Sequence, residues 1–267
     1  MKRLLISVVV AGAACAQDAG RITVPFSDPT RARTVTGSMT QGCFTVEGYD
    51  GKDVIIEQRS AQEKTSRPVP KQAEGMKRIE AGGAGLTVDE ENNVVRIHTS
   101  WGRSSDILVR VPFATTLKLK CMNGGELKVA HVTGDHELSN LNGALTATNI
   151  TGSLVANSLN GKVLVTMDKV TPDKPMSFST LNGDVDVTLP GDMRGTVKMK
   201  SDNGDVFSDF EIKLNPNASA PVVEDGRGKG GKYRVKVDHS TSGTINGGGP
   251  DLNFRTTNGS IYIRRKK

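Results

Sequence analysis

The chain has 267 residues, a formal net charge of +6 and only 4% aromatic residues. That length suits one large domain or two small ones and is enough to bury a core. The positive balance points to anionic partners, and the scarcity of aromatic rings argues against a base-stacking surface for nucleic acid.

The first residues carry the three parts of a signal peptide. Lys2 and Arg3 give a positive start, Leu4–Ala14 an apolar run of 11 residues, and Ala14-Cys15-Ala16 a small-x-small cleavage pattern before Gln17. The run is too short to cross a bilayer, which takes roughly 20 apolar residues. Residues 1–16 are therefore expected to be removed on export, which again argues against nucleic acid. Cys15 follows Gly12-Ala13-Ala14, so lipid anchoring through Cys15 stays open beside simple cleavage. The expected location is the periplasm, the outer-membrane surface or the extracellular space. No later run is long enough for a transmembrane span. Cys43 and Cys121 remain, either bridged or as two buried thiols.

Beyond the leader, Arg21 to Arg59 is rich in strand signals, clearest at Phe44–Gly48 and Val54–Ile56. Residues 61–85 are charged, hold Pro68 and Pro70 and lack alternation. They read as a loop insertion, or as a loop with a short helix over Lys71–Glu80. Strands resume at Val94–Ile97 and Ile107–Val111, and Pro112 marks the entry to a repeat.

Asn-Gly pairs begin at Asn123, Asn142, Asn160, Asn182, Asn203, Asn246 and Asn258, the first five 18 to 22 residues apart. Short alternating strands follow most of them, as in Lys162-Val163-Leu164-Val165 and Ser260-Ile261-Tyr262-Ile263. Gly134, Gly143, Gly152 and Gly161 recur every 9 residues, half that period. Asn-Gly is also the strongest hairpin signal, which would give an antiparallel β-sandwich. The recurrence favours instead a single-stranded parallel β-helix, a β-solenoid, over residues 17–267 as one domain. Each Asn-Gly would then turn the same corner in successive coils. There Asn and Gly tolerate left-handed backbone, and stacked Asn side chains bond along the column. Residues 171–175 form a small insertion, and residues 215–232, rich in Pro, Gly and Lys, a second large loop. Tyr233–Val237 is a clean strand, and Gly243 to Arg264 restores the repeat. The basic end, Arg264 to Lys267, would shield the last edge.

Several of these stretches together resemble the bacterial "putative adhesin" domain family of unknown function. They are Gly42-Cys43-Phe44-Thr45-Val46-Glu47-Gly48-Tyr49-Asp50, Val109-Arg110-Val111-Pro112, the Asn-Gly coils, Gly243 to Gly249 and Thr256 to Ile263. The resemblance implies a right-handed parallel β-helix. It brings no catalytic residues with it.

The search for chemistry yields weak candidates. Gly226 to Lys232 has the spacing of a phosphate loop, but Tyr233 stands where Ser or Thr should follow, and a strand replaces the helix. His131, Asp135, His136 and Glu137 form the one ligand-rich cluster, yet alternation sends His136 to the opposite face from its neighbours, and surface polar residues are the plainer account. His98 and His239 are isolated. Gly247-Gly248-Gly249-Pro250-Asp251 is a single imperfect calcium-roll match or a tight turn. Asp184 and Asp186 share a face, and Asp205 falls near the equivalent place one coil on, a column that a glycan-cleaving site could use. No Gly-x-Ser-x-Gly elbow is present.

No catalytic, cofactor or metal residues are assigned. The expectation is an exported, non-catalytic binding or structural protein of the cell envelope. It would present a polar ladder that includes Thr146, Thr148, Lys162, Asp184 and Asp186 to an envelope glycan, an anionic surface or a protein partner. The alternatives are a carbohydrate-active enzyme, a polysaccharide lyase or hydrolase on a β-helix, and a scaffold whose rods join end to end.

Overall fold

Alternation dictates two-faced strands here. In Thr116–Asn123, Leu117, Leu119 and Cys121 turn inward while Lys118 and Lys120 meet solvent. The computed structural model describes residues 21–59, 86–99, 106–216, 222–225, 233–236 and 240–267. The N-terminal region holds β1 (Arg21–Val24), β2 (Thr34–Gln41), β3 (Phe44–Tyr49), β4 (Val54–Arg59), β5 (Leu86–Glu91), β6 (Val94–Thr99) and β7 (Asp106–Pro112). The middle holds β8 (Thr116–Asn123), β9 (Leu127–Ala130), β10 (Thr133–Asn142), β11 (Leu145–Asn160), β12 (Val163–Val170), β13 (Met176–Ser179) and β14 (Val185–Leu189). The C-terminal region holds β15 (Gly195–Asn203), β16 (Val206–Ser208), β17 (Ile212–Leu214), β18 (Val222–Asp225), β19 (Tyr233–Lys236), β20 (Thr241–Ile245), β21 (Asp251–Asn258) and β22 (Ile261–Arg265).

The protein is all-β, with 20 of these strands in one mixed sheet and β18–β19 as a separate antiparallel pair. The large sheet wraps into two faces. On the front face, parallel pairing runs β6, β2, β8, β10, the second half of β11, β13, β21 and β15. On the back face it runs β7, β3, β9, the first half of β11, β12, β14, β22 and β16. One front strand and the next back strand make a coil. Strand β11 serves two coils, bending at Asn149, whose φ is +54°.

Two expectations need correction. The coils do not stack in chain order. Coil β2–β3 lies between β6–β7 and β8–β9, and coil β21–β22 lies between β13–β14 and β15–β16. Nor is the sheet purely parallel. At the N-terminal end β5 pairs antiparallel with β6, and β1–β4 with β7. At the other end β20 pairs antiparallel with both β15 and β17. A bare stack end is a row of unpaired N–H and C=O groups, and these antiparallel strands cover most of it. The basic end plays no such part, because β22 lies inside the stack with β16 beyond it. The antiparallel alternative fails for the repeat itself, since Asn142, Asn160 and Asn182 stack between parallel strands.

The interior is filled by columns of side chains, one residue per coil. One column runs Val35, Leu117, His136, Leu154, Met176, Leu252 and Val197. The next holds Phe178 and Phe254, whose rings stack at 5.3 Å between centroids. Space is shared across the core: a Cβ at Gly37 would lie 2.8 Å from the Phe44 ring, which occupies that room. Cys43 and Cys121 are buried free thiols with their sulfurs 2.9 Å apart. The expected leader with Cys15, the segment 61–85 and its Lys71–Glu80 stretch lie outside the described residues. Within the expected loop 215–232, Val222–Asp225 instead forms β18, which pairs with the anticipated strand at Tyr233. Among the described residues no helix is long and apolar enough to cross a membrane.

Candidate interaction surface

The repeated Asn-Gly corner builds a spine along the stack. Asn142 donates its amide to Asn123 at 2.9 Å, Asn160 to Asn142 at 2.8 Å, and Asn182 to Asn160 at 2.7 Å. The line continues with Asn258 donating to Asn182 at 2.6 Å and Asn203 to Asn258 at 2.9 Å. An amide suits this role because it donates and accepts at once. Left-handed backbone is not the reason for these asparagines: where a positive φ occurs at these corners it falls on the following glycine, +147° at Gly143 and +149° at Gly183. Those glycines also let backbones touch, since a Cβ at Gly259 would lie 2.0 Å from the Gly183 carbonyl. Two residues before Asn160, Asn182, Asn203 and Asn258, a Ser or Thr side chain caps the carbonyl of the neighbouring coil. Ser158 bonds Gly143, Thr180 bonds Gly161, Thr256 bonds Gly183 and Ser201 bonds Gly259, at 2.8 to 3.0 Å. The sequence reading missed this Ser/Thr-x-Asn-Gly pattern, although it stands in the chain. Asn246 is no part of the spine; with Gly247 it makes a turn of positive φ, and its amide bonds the Met193 carbonyl at 2.7 Å.

The anticipated polar ladder lies on the back face, but it is self-neutralised and interrupted. Glu126 accepts from Thr146 and pairs with Lys128 at 3.0 Å. Leu164, 43% exposed, stands next in that column. Thr148 lies beside Ala130 in the adjacent column. Asp186 is held by Arg264 at 2.7 and 2.9 Å, a two-pronged contact. Asp184 accepts the Ser260 N–H at 3.1 Å and pairs with Lys162 at 3.0 Å, which together hold its carboxyl below the usual range. Asp205 is not one coil from Asp184, as expected. The register Val185–Ile261–Val206 puts Ser260 between them, so the three acids do not form a contiguous column.

The front face carries a groove that the sequence reading did not pick out. One cleft of about 570 Å³ is lined by Ser177, Ser179, Lys198, Ser242, Asn253 and Arg255. A second, of about 550 Å³, shares Ser177, Ser179 and Arg255 and extends to Asn157, Leu159 and Leu181. Together they form one trough across the strands, with hydroxyls and amides in its floor and leucines along one rim. Lys198 pairs with Asp251 at 3.3 Å, whereas the exposed Arg255 side chain has no hydrogen-bond or ion-pair partner among the described residues. A larger cleft, about 660 Å³, lies among the turns near Thr171, Pro190 and Gly249. Its charges are partly spent: Asp168 pairs with Lys266 at 2.7 Å, and Arg194 donates to the Asn246 carbonyl at 3.0 Å.

The remaining candidates are dispersed. His131 sits at a corner with φ +57°, its ring 2.8 Å from the Asn149 amide. Asp135 pairs with Lys174, and Glu137 pairs with Lys118 at 3.2 Å. His136 turns inward as alternation requires, but it is a core residue and not a surface one. It is 2% exposed, neither ring nitrogen has a partner among the described residues, and burial pushes its pKa down to about 4. Among the described residues no group of three or more His, Cys, Asp or Glu could hold a metal. Gly247 and Gly248, with φ near +89° and +87°, form a tight turn at the calcium-like stretch. His98 lies on β6, exposed and apart. Gly226 to Lys232 and His239 fall outside the described residues.

Residues 136–246 match the family model described as Toastrack DUF4097. The segment begins within β10 and ends after β20, so the interposed coil β21–β22 lies beyond it. No protein of curated function matches the chain. Two solved structures show a loose similarity to the chain. One is a "putative cell adhesion protein" from Clostridium sporogenes, 11% identical, with a TM-score of 0.46 over 92% of this chain and 99% of that one. The other is a "putative adhesin" from Bacteroides fragilis, 10% identical, with a TM-score of 0.33 over 93% and 98%. Likenesses this loose carry no residue across.

Proposed function

We propose that this protein is a non-catalytic, adhesin-like binding protein of the bacterial cell envelope, whose front-face trough takes a glycan bearing negative charge. The observation that carries this reading is Arg255, an exposed guanidinium without a partner among the described residues, set among hydroxyls and amides on strands. A guanidinium meets a carboxylate or phosphate with two parallel hydrogen bonds, and neighbouring Ser and Asn groups suit sugar hydroxyls. The spine holds these groups in place before binding, which lowers the entropic cost of each weak contact. Location in the envelope rests on the leader at residues 1–16. The coils belong to the right-handed β-helix type, the hand that parallel crossovers almost always take.

The enzyme alternative draws less support. Cleavage by paired carboxylates needs two acids facing one cleft, whereas Asp184 and Asp186 are tied to Lys162 and Arg264, and Ser260 separates Asp184 from Asp205. Glycan arrays of uronate-rich, phosphorylated and neutral polysaccharides, followed by calorimetry, test the proposal. Acidic glycans should bind, and Arg255→Ala should weaken binding roughly 10- to 100-fold, the worth of a charge-assisted hydrogen bond. Binding indifferent to Arg255, or turnover of the bound glycan, would sink it.

A further inference from the structure

Cys43 and Cys121 sit at one corner of the stack, in coils that touch in space but are 78 residues apart in the chain. Cys43 follows the turn that leaves β2, where the Gly42 N–H bonds the Asn123 carbonyl at 3.0 Å. Cys121 lies two residues before Asn123, paired in register with Met39. Both are buried, at 4% and 0% exposure, and their sulfurs are 2.9 Å apart. Coil β2–β3 is held on both sides by coils that come later in the chain, so its strand pairings are all non-local.

We propose that Cys43 and Cys121 form a disulfide that clamps coil β2–β3 onto coil β8–β9, and that the bond closes while these coils dock. The oxidant is a disulfide-bearing thiol compound, small molecule or protein. One cysteine thiolate attacks a sulfur of that disulfide, giving a mixed disulfide and releasing one thiol. The second cysteine attacks the mixed disulfide, forms the Cys43–Cys121 bond and releases the second thiol. Two thiols are oxidised and one external disulfide is reduced to two thiols, which take up the two protons. Timing follows from access. In the packed, reduced protein the Cys43 thiol donates to the Cys121 sulfur and both sulfurs are buried, so an oxidant cannot reach either of them. Closure therefore precedes full packing. The clamp ties off the long excursion through β4 to β7, where loop closure costs the unfolded chain most entropy to surrender.

The test is to reduce and unfold the full chain in urea, then refold it in a mixture of reduced and oxidised glutathione. Samples are quenched in acid, alkylated without reductant, digested and weighed by mass spectrometry. The peptides holding Cys43 and Cys121 should emerge joined, two hydrogens lighter than their sum. Recovery of both as separate alkylated peptides would overturn the proposal. The double variant Cys43→Ala/Cys121→Ala should keep its β circular dichroism and melt roughly 10 °C below the oxidised protein, at the temperature of the reduced one. An oxidised protein melting with the variant would show that the bond clamps nothing.

Discussion

The middle of the protein and its C-terminal end build the same coil by different routes. From β10 to β12, each coil rests on the one just before it in sequence, and the spine bond from Asn160 to Asn142 spans 18 residues. At the C-terminal end the chain passes over a place in the stack, makes β15 to β20, and then returns to fill it. The bond from Asn258 to Asn182 spans 76 residues, yet it has the same donor, acceptor and direction. Thr256 caps Gly183 as Ser158 caps Gly143. The corner motif thus keeps one register whether the next coil in the stack is near or far along the chain. The late return makes the C-terminal contacts non-local, the kind that form slowly.

The largest effect should come from removing the returning coil. Ending the chain at Pro250 takes away β21 and β22, leaving Phe178 without Phe254 and separating the β13–β14 edge from β15–β16. Loss of such a central layer exceeds what marginal stability can absorb. The truncated chain should lose its cooperative melt and bind a dye for exposed apolar surface. A sharp transition close to that of the full chain would mean that the middle coils fold as a unit of their own.

Much of the middle region is legible in the sequence, and the reasons are local. Alternation gives the two faces of each strand and sets His136 opposite its neighbours, though not that its side is the core, and the spacing of Asn-Gly gives the coil length. The order of the end coils is not legible. Asn182, Asn203 and Asn258 carry the same corner signal, so nothing near them says that Asn258 belongs between the other two. That ambiguity explains the misplaced Asp205, and it hid the trough, because Arg255 meets Ser179 only once β21 docks on β13. Asn246-Gly247 shows the converse, a matching dipeptide in a plain turn.

Acid should separate the regions next, through the one break in the apolar column of the middle. His136 is neutral in the folded protein, with a pKa near 4 against an ordinary 6.5. Below pH 6.5 the unfolded chain takes up a proton that the folded one refuses, so stability falls as pH drops from 6.5 to 4 and the loss levels off below that. Between pH 7 and 5 this amounts to about 2 kcal/mol. His136→Leu matches its column neighbours Leu117 and Leu154, and it should flatten the dependence over that interval in urea titrations. An unchanged slope would assign the acid sensitivity to other groups.

The smallest expected effect bears most directly on whether the spine ignores chain order. Asn160 donates one spine bond and accepts another, and so does Asn258, although its partners are Asn182 and Asn203. Asn203 only donates, at the end of the line. With about 0.5–1 kcal/mol for each exposed bond, Asn160→Ala and Asn258→Ala should each cost about 1–2 kcal/mol, and Asn203→Ala about half as much. Pairing Asn258→Ala with Asn182→Ala should cost less than the sum of the two, because both remove the same junction bond. If Asn258→Ala costs no more than Asn203→Ala while Asn160→Ala costs twice that, the spine is broken at the junction, and the returning coil is held by Phe254 and its core neighbours alone.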